Sequence, residues 1–160
     1  MRSLVLACVP ALILWSIPAS SADAATAPFD SEYFGESAFL NVVPGQSYEF
    51  TVFFGNTGST PWVRNTSTQV NLAICREDKV TCNVFSPWAS WNDGWLSSIA
   101  YATHVQDTVT PGAVATFKYR IRPPSTAACQ IHHFNGDLVL AATLSPLHPQ
   151  GYFQDATISC

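Results

Sequence analysis

The chain has 160 residues, a formal net charge of −4 and few charged side chains. That length suits one domain with a real core. A mildly acidic balance excludes the basic face expected of a nucleic-acid binder, and no polybasic patch is present for anionic lipid.

The N-terminal stretch has the layout of a secretory signal peptide. Arg2 supplies the positive end, Leu4 to Ile17 form a short apolar run, and Ala22-Asp23-Ala24 matches the small-x-small cleavage rule. Cleavage is expected after Ala24, with Ala22 or Ala25 as neighbouring alternatives. Residues 1–24, including Cys8 and Trp15, are therefore excluded from the fold, and residues 25–36 form a leader of open order. The remainder, 37–160, carries no second apolar run long enough to span a bilayer, so the mature chain is expected to be secreted, extracellular or in the cell envelope.

Short alternating runs between turn residues dominate the rest of the chain, the pattern of an antiparallel β protein. In "QSYEFTVFF" Tyr48, Phe50, Val52 and Phe54 share a face, as do Val70, Leu72 and Ile74 in "QVNLAI" and Ala115, Phe117, Tyr119 and Ile121 in "VATFKYRIR". No window of a dozen residues reads as helix. Pro44-Gly45 and Pro111-Gly112 introduce two of these runs in the same way, each presetting a tight turn that fixes the register of the strand behind it.

Four cysteines remain in the exported part. An even count in such a chain reads as two disulfides, and the preferred pairing is Cys75–Cys82, around the charged excursion "REDKVT", with Cys129–Cys160. Paired zinc-ligand spacing is absent. Between Pro87 and Leu96, Trp88, Trp91 and Trp95 crowd a loop punctuated by Asn92-Asp93-Gly94. These rings either stack on a ligand, as a sugar platform or protein hot spot, or close one end of the core, and their size favours the core. Further on, Asn135-Gly136 predicts a hairpin joining Ile131–Phe134 to Asp137–Leu140, "SPLHPQG" is a loop, and "YFQDATI" is a last strand. The sum is an all-β, immunoglobulin-like antiparallel sandwich in a single disulfide-stapled domain.

"VVPGQSYEFTVFFGNTGSTPW", "WLSSIAYATHVQDTVTPGAVATFKYRIRPP" and "HPQGYFQDATI" together resemble the Ig-like four-tryptophan (FW) domain, over about Phe39 to Ile158. That domain occurs in selective-autophagy cargo receptors and in exported bacterial proteins. The resemblance implies a binding and scaffolding module without catalytic residues, and a structural role for Trp62 behind the "NTGST" turn. Two disulfides are not part of that pattern, and "STAACQIHHFNG" replaces its glycine-tyrosine motif.

Other chemistry is sparse. His132 and His133 are adjacent in a predicted strand and point to opposite faces, so they cannot share one ion; with His104 and His148 they read as solvated or hydrogen-bonded histidines. No G-x-S-x-G, H-E-x-x-H or phosphate loop occurs. Asp93, Asp107, Asp137 and Asp155 show no pairing suited to glycoside chemistry. Lys118, Arg120 and Arg122 form a basic stripe that reads as a solvated sheet face, and Asn65-Thr66-Ser67 is a glycosylation sequon. The reading is a non-catalytic module with no cofactor and no metal, acting by protein contact or self-association. Polysaccharide or cell-wall binding through Trp88, Trp91 and Trp95 is the alternative, and a small secreted enzyme or metal protein the third.

Overall fold

The computed structural model describes residues 26–159; the expected signal segment, its expected cleavage after Ala24 and Cys160 lie outside the described residues. Among these residues ten strands occur in order: β1 Ser31–Glu36, β2 Leu40–Asn41, β3 Tyr48–Asn56, β4 Trp62–Val63, β5 Val70–Ile74, β6 Ala100–Thr103, β7 Thr108–Val109, β8 Val114–Ile121, β9 Ile131–Leu140 and β10 Tyr152–Thr157. One short 3-10 turn, Ala89–Trp91, is the sole helical element among the described residues.

Two sheets face each other, β1-β3-β8 and β2-β10-β9-β5-β6, with β4-β7 as a small accessory ribbon. Every pairing is antiparallel except β2 beside β10, where the chain has crossed from the first sheet to the second. Buried Gln154 holds that crossover, its amide donating to the carbonyls of Ser37 and Ala38. The order is that of an immunoglobulin-like sandwich. On one side the sheets are stitched together, with Val105 N–H donating to Thr116 O at 2.7 Å and a bridge between His104 and Phe117. On the other side, β1 and β10 share no ladder, and the Gln150 side chain spans them, accepting from Tyr33 N–H and donating to Ser31 O.

Period two places the expected faces inward. Phe50, Val52, Phe54, Val70, Leu72, Ile74, Ala115, Phe117 and Ile121 are fully buried, and Tyr119 nearly so. Rings pack within and between the sheets: Phe50 lies 5.3 Å from Tyr119 of its own sheet and 5.9 Å from Phe134 of the other, centroid to centroid. Offset ring pairs of this kind add about 0.5–1.5 kcal/mol beyond area burial.

The structure corrects two expectations. Asn135-Gly136 makes no hairpin; both residues sit inside the single strand β9, which pairs with β5 and β10 along its length. Glycine is needed there for close approach, because a Cβ at Gly136 would lie 3.0 Å from Ala73 O and 3.2 Å from the Tyr152 ring. The leader is also part of the fold. Residues 27–30 bond to the 57–60 turn, with Ser59 N–H on Ala27 O and Thr60 N–H on Pro28 O, and β1 pairs with β3. The domain thus starts ahead of residue 37.

The Cys75–Cys82 disulfide is present and closes the 76–81 loop. Asp78 orders that loop by accepting from Val80 N–H and Thr81 N–H. Cys129 is disulfide-bonded, while its expected partner Cys160 is outside the described residues.

Candidate functional site

The tryptophan loop faces inward. Trp91 and Trp95 are buried, Trp62 is fully buried, and Trp88 keeps partial exposure. The 3-10 turn drops Trp91 onto β9, 5.5 Å from Phe134 and 4.5 Å from the His132 ring. Trp88 closes the other side of that imidazole at 4.6 Å, edge to face, and its indole N–H donates to His133 O at 2.8 Å. Trp95 stands against Tyr101 at 4.9 Å and donates to Arg120 O at 2.7 Å. Two indole donors are therefore spent on strand carbonyls, which orients each ring edge-in.

Asp93 latches this loop to the sandwich. It accepts from the Ser47 hydroxyl and faces Arg122 at 3.3 Å and Arg120 at 3.7 Å. The Ser47 hydrogen bond holds its carboxyl below the usual range; burial opposes it, and the Arg122 and Arg120 guanidinium groups each add a smaller lowering effect. With Lys118 bonded to Glu49 at 2.8 Å, each cation of the basic stripe has a carboxylate beside it, Arg120 and Arg122 sharing Asp93.

The histidines divide into two pairs. His104 and His132 are buried; His104 Nδ1–H donates to Gln106 O at 2.6 Å, and His132 Nε2 bonds Ala128 O at 2.9 Å. Burial pushes the His104 imidazole down, keeping it neutral. His133 and His148 are exposed beside Asp155 and Asp30, at 2.6 and 2.9 Å. The adjacent pair on β9 does face opposite ways. Among the described residues no three His, Cys, Asp or Glu side chains converge as a metal site would need. Asp137 is buried and caps the 150–151 backbone, accepting from Gln150 and Gly151. Asp107 is a solvated partner of Arg64.

The remaining chemistry at the surface is apolar. Phe34 occupies the bulge between Tyr33 and Gly35 and lies across Gly55, where an added Cβ would meet its ring at 2.5 Å. Phe34 is 58% exposed, and Phe53 and Val114 are exposed on the same outer face of β1-β3-β8. The Glu49–Lys118 and Asp93–Arg120–Arg122 pairs border this patch. Sequence reading missed it because it left residues 25–36 as a leader of open order. Pro44, Gly45, Pro111 and Gly112 form the expected turns, with positive φ at both glycines.

No helix among the described residues is long and apolar enough to cross a membrane. No family model matches the chain, and no curated protein is detectably similar to it.

Proposed function

We propose that this chain is an exported, non-catalytic binding module that works through protein–protein contact, as its resemblance to the FW domain implies. The observation that carries this reading is the outer face of β1-β3-β8. Phe34, Phe53 and Val114 stand exposed there, bordered by the ion-paired side chains of Lys118, Glu49, Asp93, Arg120 and Arg122. An apolar centre with a polar rim is the anatomy of a protein interface. A disulfide supports export, since such bonds persist in oxidising compartments.

Strand addition at the β1 edge is the weaker route to contact. The bulge breaks the ladder, and Glu32 and Glu36 place charge along that edge, both of which discourage edge pairing. Sugar stacking has little to work with, because Trp91 and Trp95 are buried.

Site-specific photo-crosslinking tests the proposal in the extracellular fraction of the source cells. A benzophenone side chain at position 34 or 53 is expected to trap a discrete protein, competed by free domain, while the same group at Thr143 traps none. Equal or absent crosslinking at all three positions overturns the reading.

A further inference from the structure

Where β1 passes β10, on the side that the Gln150 amide bridges to the backbone of Ser31 and Tyr33, a cleft of about 350 Å³ opens. Tyr33, Glu36, Gln150, Gly151, Tyr152 and Phe153 line it. Tyr33 and Glu36 pair with Phe54 and Val52, whose side chains are buried, so both lean toward the space between the sheets. The Tyr33 ring lies 6.4 Å from that of Tyr152 and 5.7 Å from that of Phe54. Its hydroxyl is close to the Glu36 carboxylate.

Among the described residues Glu36 takes part in no ion pair, whereas two carboxylates on the surrounding surface each bond an imidazole: Asp30 that of His148 and Asp155 that of His133. Burial pushes the Glu36 carboxyl up, the Tyr33 hydrogen bond opposes this, and the nearby Asp155 charge adds to the rise. A carboxylate held among rings without a counter-ion is complementary to a cation.

We propose that this cleft binds an alkylammonium group, with Glu36 as its counter-ion and the Tyr33 and Tyr152 rings as its walls. Ring faces attract cations through their quadrupole, and a carboxylate beside aromatic rings selects an ammonium over a neutral alcohol of the same shape. A divalent metal is a poorer fit, because hard cations take six or more oxygen ligands and no group of three candidate side chains converges among the described residues. The rim already receives one ammonium: Lys79 Nζ lies 3.8 Å from the Phe153 centroid. The volume falls in the range of small-ligand sites, roughly 300–1,000 Å³. The ammonium can come from a free amine or from a lysine side chain of another protein. This cleft is distinct from the Phe34–Phe53 face, so either proposal can fail without the other.

The test is an NMR titration of the whole mature domain with butylamine, protonated at pH 7, and with butanol as its uncharged analogue. Saturable shifts at Tyr33, Glu36 and Gly151 are expected with butylamine at millimolar affinity, and butanol should bind at least about tenfold more weakly. Glu36→Gln should lose about tenfold in affinity while melting no lower than the parent, which separates lost binding from lost folding. An acetyl-Gly-Lys-Gly-amide peptide that binds more tightly than butylamine assigns the site to a lysine side chain; butylamine binding more tightly assigns it to a free amine. Equal affinity for butanol and butylamine, unchanged affinity in Glu36→Gln, or no saturable shift up to about 10 mM overturns the proposal.

Discussion

Gly45 and Gly112 occupy equivalent places at opposite ends of one strand pair. Gly45 precedes β3, and its N–H donates to Pro123 O, just beyond the end of β8, at 2.7 Å. Gly112 precedes β8, and its N–H donates to Asn56 O, at the end of β3, at 2.8 Å. Each follows a proline and each has positive φ, 82° and 80°. The two turns therefore clamp the central β3–β8 ladder from both ends. Fully buried Asn56 extends one clamp, its amide donating to Thr60 O and Val109 O while its side-chain oxygen accepts from Gly58 N–H.

Replacing either glycine by alanine should cost about 1–2 kcal/mol, the strain of a left-handed L-residue. No atom stands within 4 Å of either added Cβ, so the backbone term acts alone. Urea unfolding should give similar losses for Gly45→Ala and Gly112→Ala; a loss at one site only would break the equivalence.

The tryptophans should separate by depth. Trp91→Ala removes a buried ring packed on Phe134 and His132 and should cost about 3–5 kcal/mol. Trp88→Ala, at a half-buried position, should cost clearly less in the same urea series. The folded parent is expected to pass through columns of insoluble polysaccharide and purified cell wall without retention that free sugar competes away.

His104 should make the fold acid-sensitive. Burial is the main cause that lowers its folded pKa, against an ordinary value of 6.5, with the Gln106 carbonyl opposing. The unfolded chain then binds the proton more readily than the folded one, so stability is full above pH 6.5 and is lost as pH falls through the folded value. His104→Asn can keep a donor toward Gln106 O without titrating there. Its melting temperature should fall less than the parent's on going from pH 7 to pH 5; parallel profiles would remove His104 as the cause.

Glu36 carries the opposite sign. Its folded pKa is raised above the ordinary 4.5, mainly by burial, so ionisation favours the unfolded chain and stability falls as pH rises through that window. Glu36→Gln should therefore melt higher than the parent at pH 7, and the difference should shrink as pH falls toward 4. A lower melting temperature at pH 7 would show that the carboxylate is well paired.

Strands whose two faces differ in polarity were legible in the residues. β3, β8 and β10 follow period two because one face meets the core and the other is more exposed. β1 was hidden because the bulge at Tyr33/Gly35 interrupts its alternation and puts Phe34 outside. β9 was split because Asn-Gly is a turn signal only where the chain is free to reverse; here β5 and β10 flank Gly136 on both sides. The direction of the Trp88, Trp91 and Trp95 rings was open for a related reason. An i, i+3, i+7 spacing defines a face only on a helix, whereas these rings are aimed by a 3-10 turn, two indole hydrogen bonds and the His132 ring between them. The Glu36 cleft left no local signal at all, since β1 and β10 stand more than a hundred residues apart in the chain, as the 117-residue separation of Tyr33 and Gln150 shows.

The most direct test of the protein-contact reading uses the partner trapped at positions 34 and 53, with its affinity measured for three purified domains. The double variant Phe34→Ser/Phe53→Ser, which changes exposed side chains only, should bind about tenfold or more weakly than the parent, while Trp88→Ala should bind as the parent does. Unchanged affinity in the double variant, with the loss appearing in Trp88→Ala instead, would contradict the account and return the binding surface to the tryptophan loop.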